Sequence, residues 1–142
     1  MAPTGTPRVA NPIAVRRLSV VGEPGREVVI TLGKPRAELK TPTFRCSFLV
    51  EGIPKARRRV AYGVDSLQAL QNAIEGARRV LERAGLVCTW HGGQPGEIGL
   101  PRAIPTYEGS GLAEKIERYI ERELKKFLRM AKARRSGQDK LA

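Results

Sequence analysis

The chain has 142 residues, with 26 Lys and Arg against 14 Asp and Glu for a formal net charge of +12, and a hydrophobic fraction of 41%. That length supplies one core rather than two, and the apolar residues fall in periodic blocks, which excludes disorder throughout. No apolar run approaches the roughly 20 residues of a membrane-spanning helix, and the Pro-, Thr- and Gly-rich start lacks the apolar stretch of a secretion signal, so a cytoplasmic protein is expected.

Residues 1–12 read as a flexible lead-in. Residues 13–21 (IAVRRLSVV) are β-branched and predict a strand, followed by the turn Gly22-Glu23-Pro24-Gly25 and a second strand over 26–32. A Pro-Gly pair between two such runs is a hairpin signal. Gly33-Lys34-Pro35-Arg36 ends that strand, and 36–42 is expected to be a polar loop closed by Pro42. Residues 43–51 then alternate, with Phe44, Cys46, Phe48 and Val50 on one face and Arg45, Ser47 and Leu49 on the other. Period two with one apolar face predicts a half-buried strand. A turn at 52–55 leads to a paired strand over 57–62, and connections this short produce an antiparallel meander.

The clearest element follows. Asp65 is placed to cap a helix, and Gln68 completes a capping-box pattern. Leu67, Leu70, Ile74, Ala77 and Leu81 recur at helical spacing as one stripe, and Gly85 supplies a left-handed stop. The prediction is a helix over 66–84 packed on the apolar face of the sheet. A strand is expected over 86–90, with Leu86, Cys88 and Trp90 on one face, and the Gly- and Pro-rich stretch 91–109 has little room for regular structure. Ser110 or Glu108 would open a second, amphipathic and basic helix over 110–135, ahead of a flexible tail at 136–142. Its acids lie early and its bases late, which suits the helix macrodipole, and Glu114 with Arg118 and Glu121 with Lys125 are spaced for ion pairs. The fold class is therefore α+β: a mainly antiparallel sheet of four or five strands, one helix on it and a long C-terminal helix.

The run Gly63-Val64-Asp65-Ser66-Leu67-Gln68-Ala69-Leu70, with Gly33-Lys34-Pro35-Arg36 upstream and Trp90 then Gly99-Leu100-Pro101-Arg102 downstream, resembles a family of small bacterial domains of unknown function. The resemblance covers roughly residues 13–104 and leaves the C-terminal helix outside. It implies a bacterial, cytosolic α+β domain. It implies no activity, and no functional residue is carried over from it.

The candidate chemistries are weak. Cys46 and Cys88 share strand faces with apolar neighbours and read as buried, reduced thiols. A strand puts His91 on the face opposite Cys88, away from any role as its base. One His and two Cys fall short of the four ligands of a zinc site, so no metal or other cofactor is expected. Glu97 and Glu108 are loop acids that nothing singles out. The stretch His91-Gly-Gly-Gln-Pro-Gly-Glu-Ile-Gly lacks the Gly-Lys-Ser/Thr ending of a phosphate loop, and a structural loop packed under Trp90 is preferred.

Charge and the helix stripe carry what remains. Residues 1–64 hold 12 bases and 4 acids, 65–109 hold 4 and 5, and 110–142 hold 10 and 5. A surplus of this size attracts polyanions without specifying one. The leading expectation is a non-enzymatic binding module that docks a protein partner on the second helix or on loop 91–109, with Leu112, Ile116, Ile120, Leu124 and Phe127 placed to lie in a groove of another chain or a second copy. The alternative is a nucleic-acid-binding protein using Arg57, Arg58, Arg59, Lys125, Lys126, Arg129, Lys132, Arg134 and Arg135. A small enzyme with its site in loop 91–109 is a third class.

Overall fold

The computed structural model describes residues 5–104 and 111–141. It divides into two units, residues 1–103 and 104–142. The first unit is built from strands β1 (Pro12–Val20), β2 (Glu27–Gly33), β3 (Arg36–Ala37), β4 (Phe44–Glu51) and β5 (Arg59–Gly63), helix α1 (Ser66–Ala84) and strand β6 (Cys88–Thr89). The second holds helix α2 (Leu112–Asp139). Ser110 and Glu108, the expected openers of that helix, lie outside the described residues.

All strand pairings are antiparallel, and β1, β2, β4 and β5 form the expected meander. Strand β6 returns to pair with the free edge of β1, Val20 opposite Cys88. Two strand expectations need correction. Residues 36–42 are not wholly loop, because Arg36 and Ala37 pair with Arg45 and Phe44 as β3, continuing the line of β2 past Pro35. The strand expected over 86–90 is only two residues long.

Helix α1 begins and ends where its caps dictate. The Asp65 carboxylate accepts the Gln68 N–H at 2.7 Å, and Gln68 Oε1 accepts the Val64 N–H at 2.7 Å. Gly85, at φ 68°, closes the helix by donating its N–H to the Glu82 carbonyl. The buried face is only partly the predicted one: Ala77 and Leu81 of the expected stripe are buried and Leu70 packs against the core, but the face is turned toward Ala69, Ala73 and Val80. Ala69, Ala73, Ala77, Val80 and Leu81 are buried, whereas Leu67 is 63% exposed. Small residues win because the helix backbone lies close on the sheet. A Cβ on Gly63 of β5 would come within 2.3 Å of the Ala69 nitrogen, and one on Gly76 within 2.7 Å of the Phe48 ring. Asn72 Nδ2 also donates to the Tyr62 carbonyl at 2.7 Å, tying helix to strand.

Between these layers sits the core: Leu18, Val20, Val28, Ile30, Cys46, Phe48, Val50 and Cys88 from the sheet against the alanine face of α1. Leu49 points to the opposite face yet is also buried. Thr6, Pro7, Arg8 and Val9 line one cavity with it and Thr31, so the N-terminal segment covers that patch. The Lys34 N–H donates to the Asn11 carbonyl at 2.9 Å and holds the segment in place.

Helix α2, taken by itself, buries no side chain. It runs beyond the end of its apolar stripe to Asp139, with Ser136 Oγ donating to the Lys132 carbonyl at 2.8 Å. Among the described residues, the ion pair on this helix joins Lys126 to Glu123 at 2.8 Å, three residues apart, in place of the expected i,i+4 pairs. No helix among the described residues is long and apolar enough to cross a membrane.

Candidate anion-binding cleft

Three regions of the first unit concentrate polar chemistry, and they differ in whether their charges have partners. The first is the glycine-rich loop. Trp90 is 42% exposed, with Arg16 stacked over its ring at 3.9 Å, and Arg16 Nη1 donates to the Ile98 carbonyl at 2.9 Å. Gly99 (φ 64°) sits so close that a Cβ there would come within 2.2 Å of the Trp90 ring. The Gly93 N–H donates to the Trp90 carbonyl, Gly96 to Cys88, Glu97 to Gln94, and Gln94 to the Glu97 carboxylate. Those N–H groups are already satisfied, so they do not form a phosphate cradle. The loop packs with Trp90 as expected, and the Glu97 carboxylate serves its turn.

The thiols belong to the core. Cys46 is buried and donates its S–H to the Gly33 carbonyl at 3.2 Å. Burial pushes the Cys46 thiol above its ordinary pKa, and burial does the same to Cys88 against a smaller opposing pull from Arg26. Thiols held in the protonated form are poor nucleophiles. Among the described residues no group of three or more His, Cys, Asp and Glu is placed to hold a metal ion.

The second region lies between α1 and residues 96–102, a cavity of about 480 Å³ lined in part by Arg78, Glu82 and Arg102. Arg78 is buried and ion-paired to both Glu75 and Glu82. Its hydrogen bond holds the Glu75 carboxyl below the ordinary carboxylate pKa, helped by the nearby charges of Arg79 and Arg102. Arg78 is thus neutralised within α1, which leaves Arg102 as the lining base without an ion pair among the described residues.

The third region is different. A cleft of about 490 Å³ opens between the C-terminal end of α1 and the segment joining β4 to β5, lined by Val50, Ile53, Pro54, Lys55, Arg57, Arg59, Val80, Arg83 and Ala84. Four of those residues are bases and none is an acid. None of the four is in an ion pair among the described residues. The carbonyl end of α1 carries partial negative charge that balances part of Arg83. Lys55, Arg57 and Arg59 have no such counterpart.

Sequence alternation splits the Arg57-Arg58-Arg59 run. Arg58 and Val60 look out on the other face of β5, where they line a shallow concavity of about 110 Å³ with Lys34, Arg36, Arg45 and Ser47. Arg45 is paired there with Glu38 at 3.7 Å. Tyr62, opposite Arg45 in the ladder, is 56% exposed on that face. Basic groups therefore flank β5 on both sides.

The structure thus brings Arg57 and Arg59 together and turns Arg58 away. It adds Lys55, Arg83, Lys34, Arg36, Arg45 and Tyr62, which the sequence reading did not group with them. Only the alternation of Arg58, Val60 and Tyr62 was available as a signal for that face. The remaining predicted bases, Lys125, Lys126, Arg129, Lys132, Arg134 and Arg135, are exposed on α2 in the second unit. On the same helix Leu112, Ile120, Leu124 and Phe127 are exposed and Ile116 is half-buried.

No curated protein and no solved structure matches the chain. A family profile described as a domain of unknown function, DUF6968, matches residues 14–102, which takes in α1, the loop packed on Trp90 and the sheet except the first two residues of β1. On that match the chain belongs to the DUF6968 family.

Proposed function

We propose that this chain is a non-enzymatic binding module that holds the phosphate backbone of a nucleic acid along strand β5. The observation that carries the reading is the cleft lining, in which Lys55, Arg57, Arg59 and Arg83 face one space without a carboxylate. Unpaired bases that share a cleft repel one another, and an anion from solution relieves that repulsion. Phosphate oxygens are suited to guanidinium groups, which donate in a planar fork. The second basic group, on the outer face of β5, would extend the track, with the Tyr62 ring available to a base beside it.

The test compares paired and unpaired arginines. Affinity for a mixed-sequence oligonucleotide is measured against salt, where log K falls with log salt by about 0.9 for each duplex phosphate neutralised. Arg57→Gln with Arg59→Gln is expected to lower that slope by roughly two phosphate equivalents. Arg17→Gln with Arg26→Gln removes the same charge from residues held by Glu27 and Glu23, and is expected to leave the slope nearly unchanged. Equal losses from both variants would mean that only net charge matters, and the assignment of the cleft would fail.

A further inference from the structure

We infer that helix α2 pairs with α2 of a second copy of this chain, in antiparallel orientation. The inference does not depend on nucleic-acid binding. Ile116, Ile120, Leu124, Phe127 and Ala131 recur at spacings of four, four, three and four along the 28-residue helix, widened by Tyr119 and Met130 on one flank and Leu128 on the other. Phe127 is 66% exposed, and Leu124, Leu128, Met130 and Tyr119 are exposed with it. An apolar stripe of this length marks a helix that buries its face against another.

Charge along α2 identifies the occupant and its direction. Residues 112–123 hold four acids and three bases, whereas 124–139 hold six bases and one acid. A parallel pair would set one strongly basic half beside the other. An antiparallel pair sets each basic half beside the slightly acidic half of its mate. A register with Ile120 against Phe127 of the other copy also places Ile116 against Ala131 and brings both Leu124 side chains near the twofold axis. On one flank, that register sets Glu114 and Glu121 beside Lys132 and Lys125 of the other copy. Flanking charges of this kind select partner and orientation in paired helices. A second copy therefore satisfies the stripe and the charge gradient together.

Sedimentation equilibrium of the full chain at micromolar concentration is expected to give the mass of a dimer, and Ile120→Asp with Leu124→Asp that of a monomer. The thermal unfolding transition of the first unit, followed by Trp90 fluorescence, should be retained in that variant. Orientation is read by mixing Ile116→Cys and Ala131→Cys chains under mild oxidation, where a disulfide between the two different variants is expected to dominate. The native Cys46 and Cys88 are buried and give little background. A monomeric wild type, or a dimer that survives the double Asp substitution, would overturn the inference. So would homodisulfides alone. Loss of the Trp90 transition in the double Asp variant would assign the stripe to the chain's own core and would overturn it equally.

Discussion

Arg16, Arg17 and Arg26 in the β1–β2 hairpin, and Lys55, Arg57 and Arg59 beside β5, are the same kinds of residue put to opposite uses. In the hairpin each arginine has a partner within the fold: Arg16 the Trp90 ring and the Ile98 carbonyl, Arg17 the Glu27 carboxylate, Arg26 the Glu23 carboxylate. Beside β5, none of the three has an ion pair among the described residues, and all line one cleft. Helix α1 shows the same division along a single element, with Arg78 and Arg79 held by Glu75 and Arg83 turned into the cleft. The difference teaches that composition alone misleads here. A base that has a partner stabilises the fold, and a base without one stores repulsion that a ligand can relieve.

The largest expected effect lies where the engaged arginines meet the loop. Gly99→Ala places a Cβ within 2.2 Å of the Trp90 ring and 2.4 Å of Arg16 Nη1 at a φ of +64°. The left-handed backbone costs about 1–2 kcal/mol for a residue with a Cβ, and the overpacking about 1–3 kcal/mol more. Urea unfolding followed by Trp90 fluorescence should show the combined loss. An unchanged midpoint would mean that the Arg16–Trp90–Gly99 stack is not what holds this edge.

Arg16→Ala ranks next. It removes a cation–π contact together with a charged hydrogen bond, and should lower stability by about 2 kcal/mol. Replacing an engaged arginine without a stability loss would blur the contrast between the two regions.

Glu75→Gln probes the engaged bases of α1 and is expected to cost about 1 kcal/mol, the difference between a charged and a neutral acceptor for Arg78. Its signature is pH dependence. The folded carboxyl is held below its ordinary pKa, chiefly by the hydrogen bond from Arg78, so the folded state binds fewer protons than the unfolded chain. The stabilisation is complete above the ordinary value of about 4.3 and is lost as pH falls through the lower folded one. Wild type and variant should therefore differ at neutral pH and converge in acid. A constant gap down to pH 2 would show that shape, not charge, makes the contribution.

How much of this was legible follows from where the forces act. The limits of α1 could be read directly because Asp65, Gln68 and Gly85 act on neighbouring backbone groups. Its buried face could be read only in part. Leu67, Leu70 and Ile74 lead into Ala77 and Leu81 as regularly as Ala69 and Ala73 do, and only the close approach at Gly63 and Gly76 selects the smaller side chains. The family resemblance was readable from the same local motifs and was matched over residues 14–102. The cleft was half legible. Arg57-Arg58-Arg59 stands out in the chain, but strand alternation divides it. Lys55 precedes the strand, and Arg83 arrives from a different element, so their joining Arg57 and Arg59 is a product of the fold. The burial of Leu49 is hidden for the same reason, since its cover comes from residues 6–9.

The smallest effect has the opposite sign. Arg57→Gln with Arg59→Gln removes two like charges from a cleft that holds four bases and no carboxylate. Surface substitutions usually change stability by no more than about 0.5 kcal/mol, and here the change should be a gain, because repulsion is relieved and no ion pair is lost. Salt distinguishes this from a packing effect. The Debye length falls from about 30 Å at 0.01 M to about 3 Å at 1 M, so the gain should be largest in dilute buffer and vanish in concentrated salt. Arg17→Gln with Arg26→Gln, the control of equal charge, should show no gain in dilute buffer, because each arginine there is already opposed by a carboxylate. A stabilised variant with a weakened salt-dependent affinity would mean that these arginines are kept at the expense of the fold. A destabilised one would place them among the engaged bases, and the contrast between the two regions would be lost.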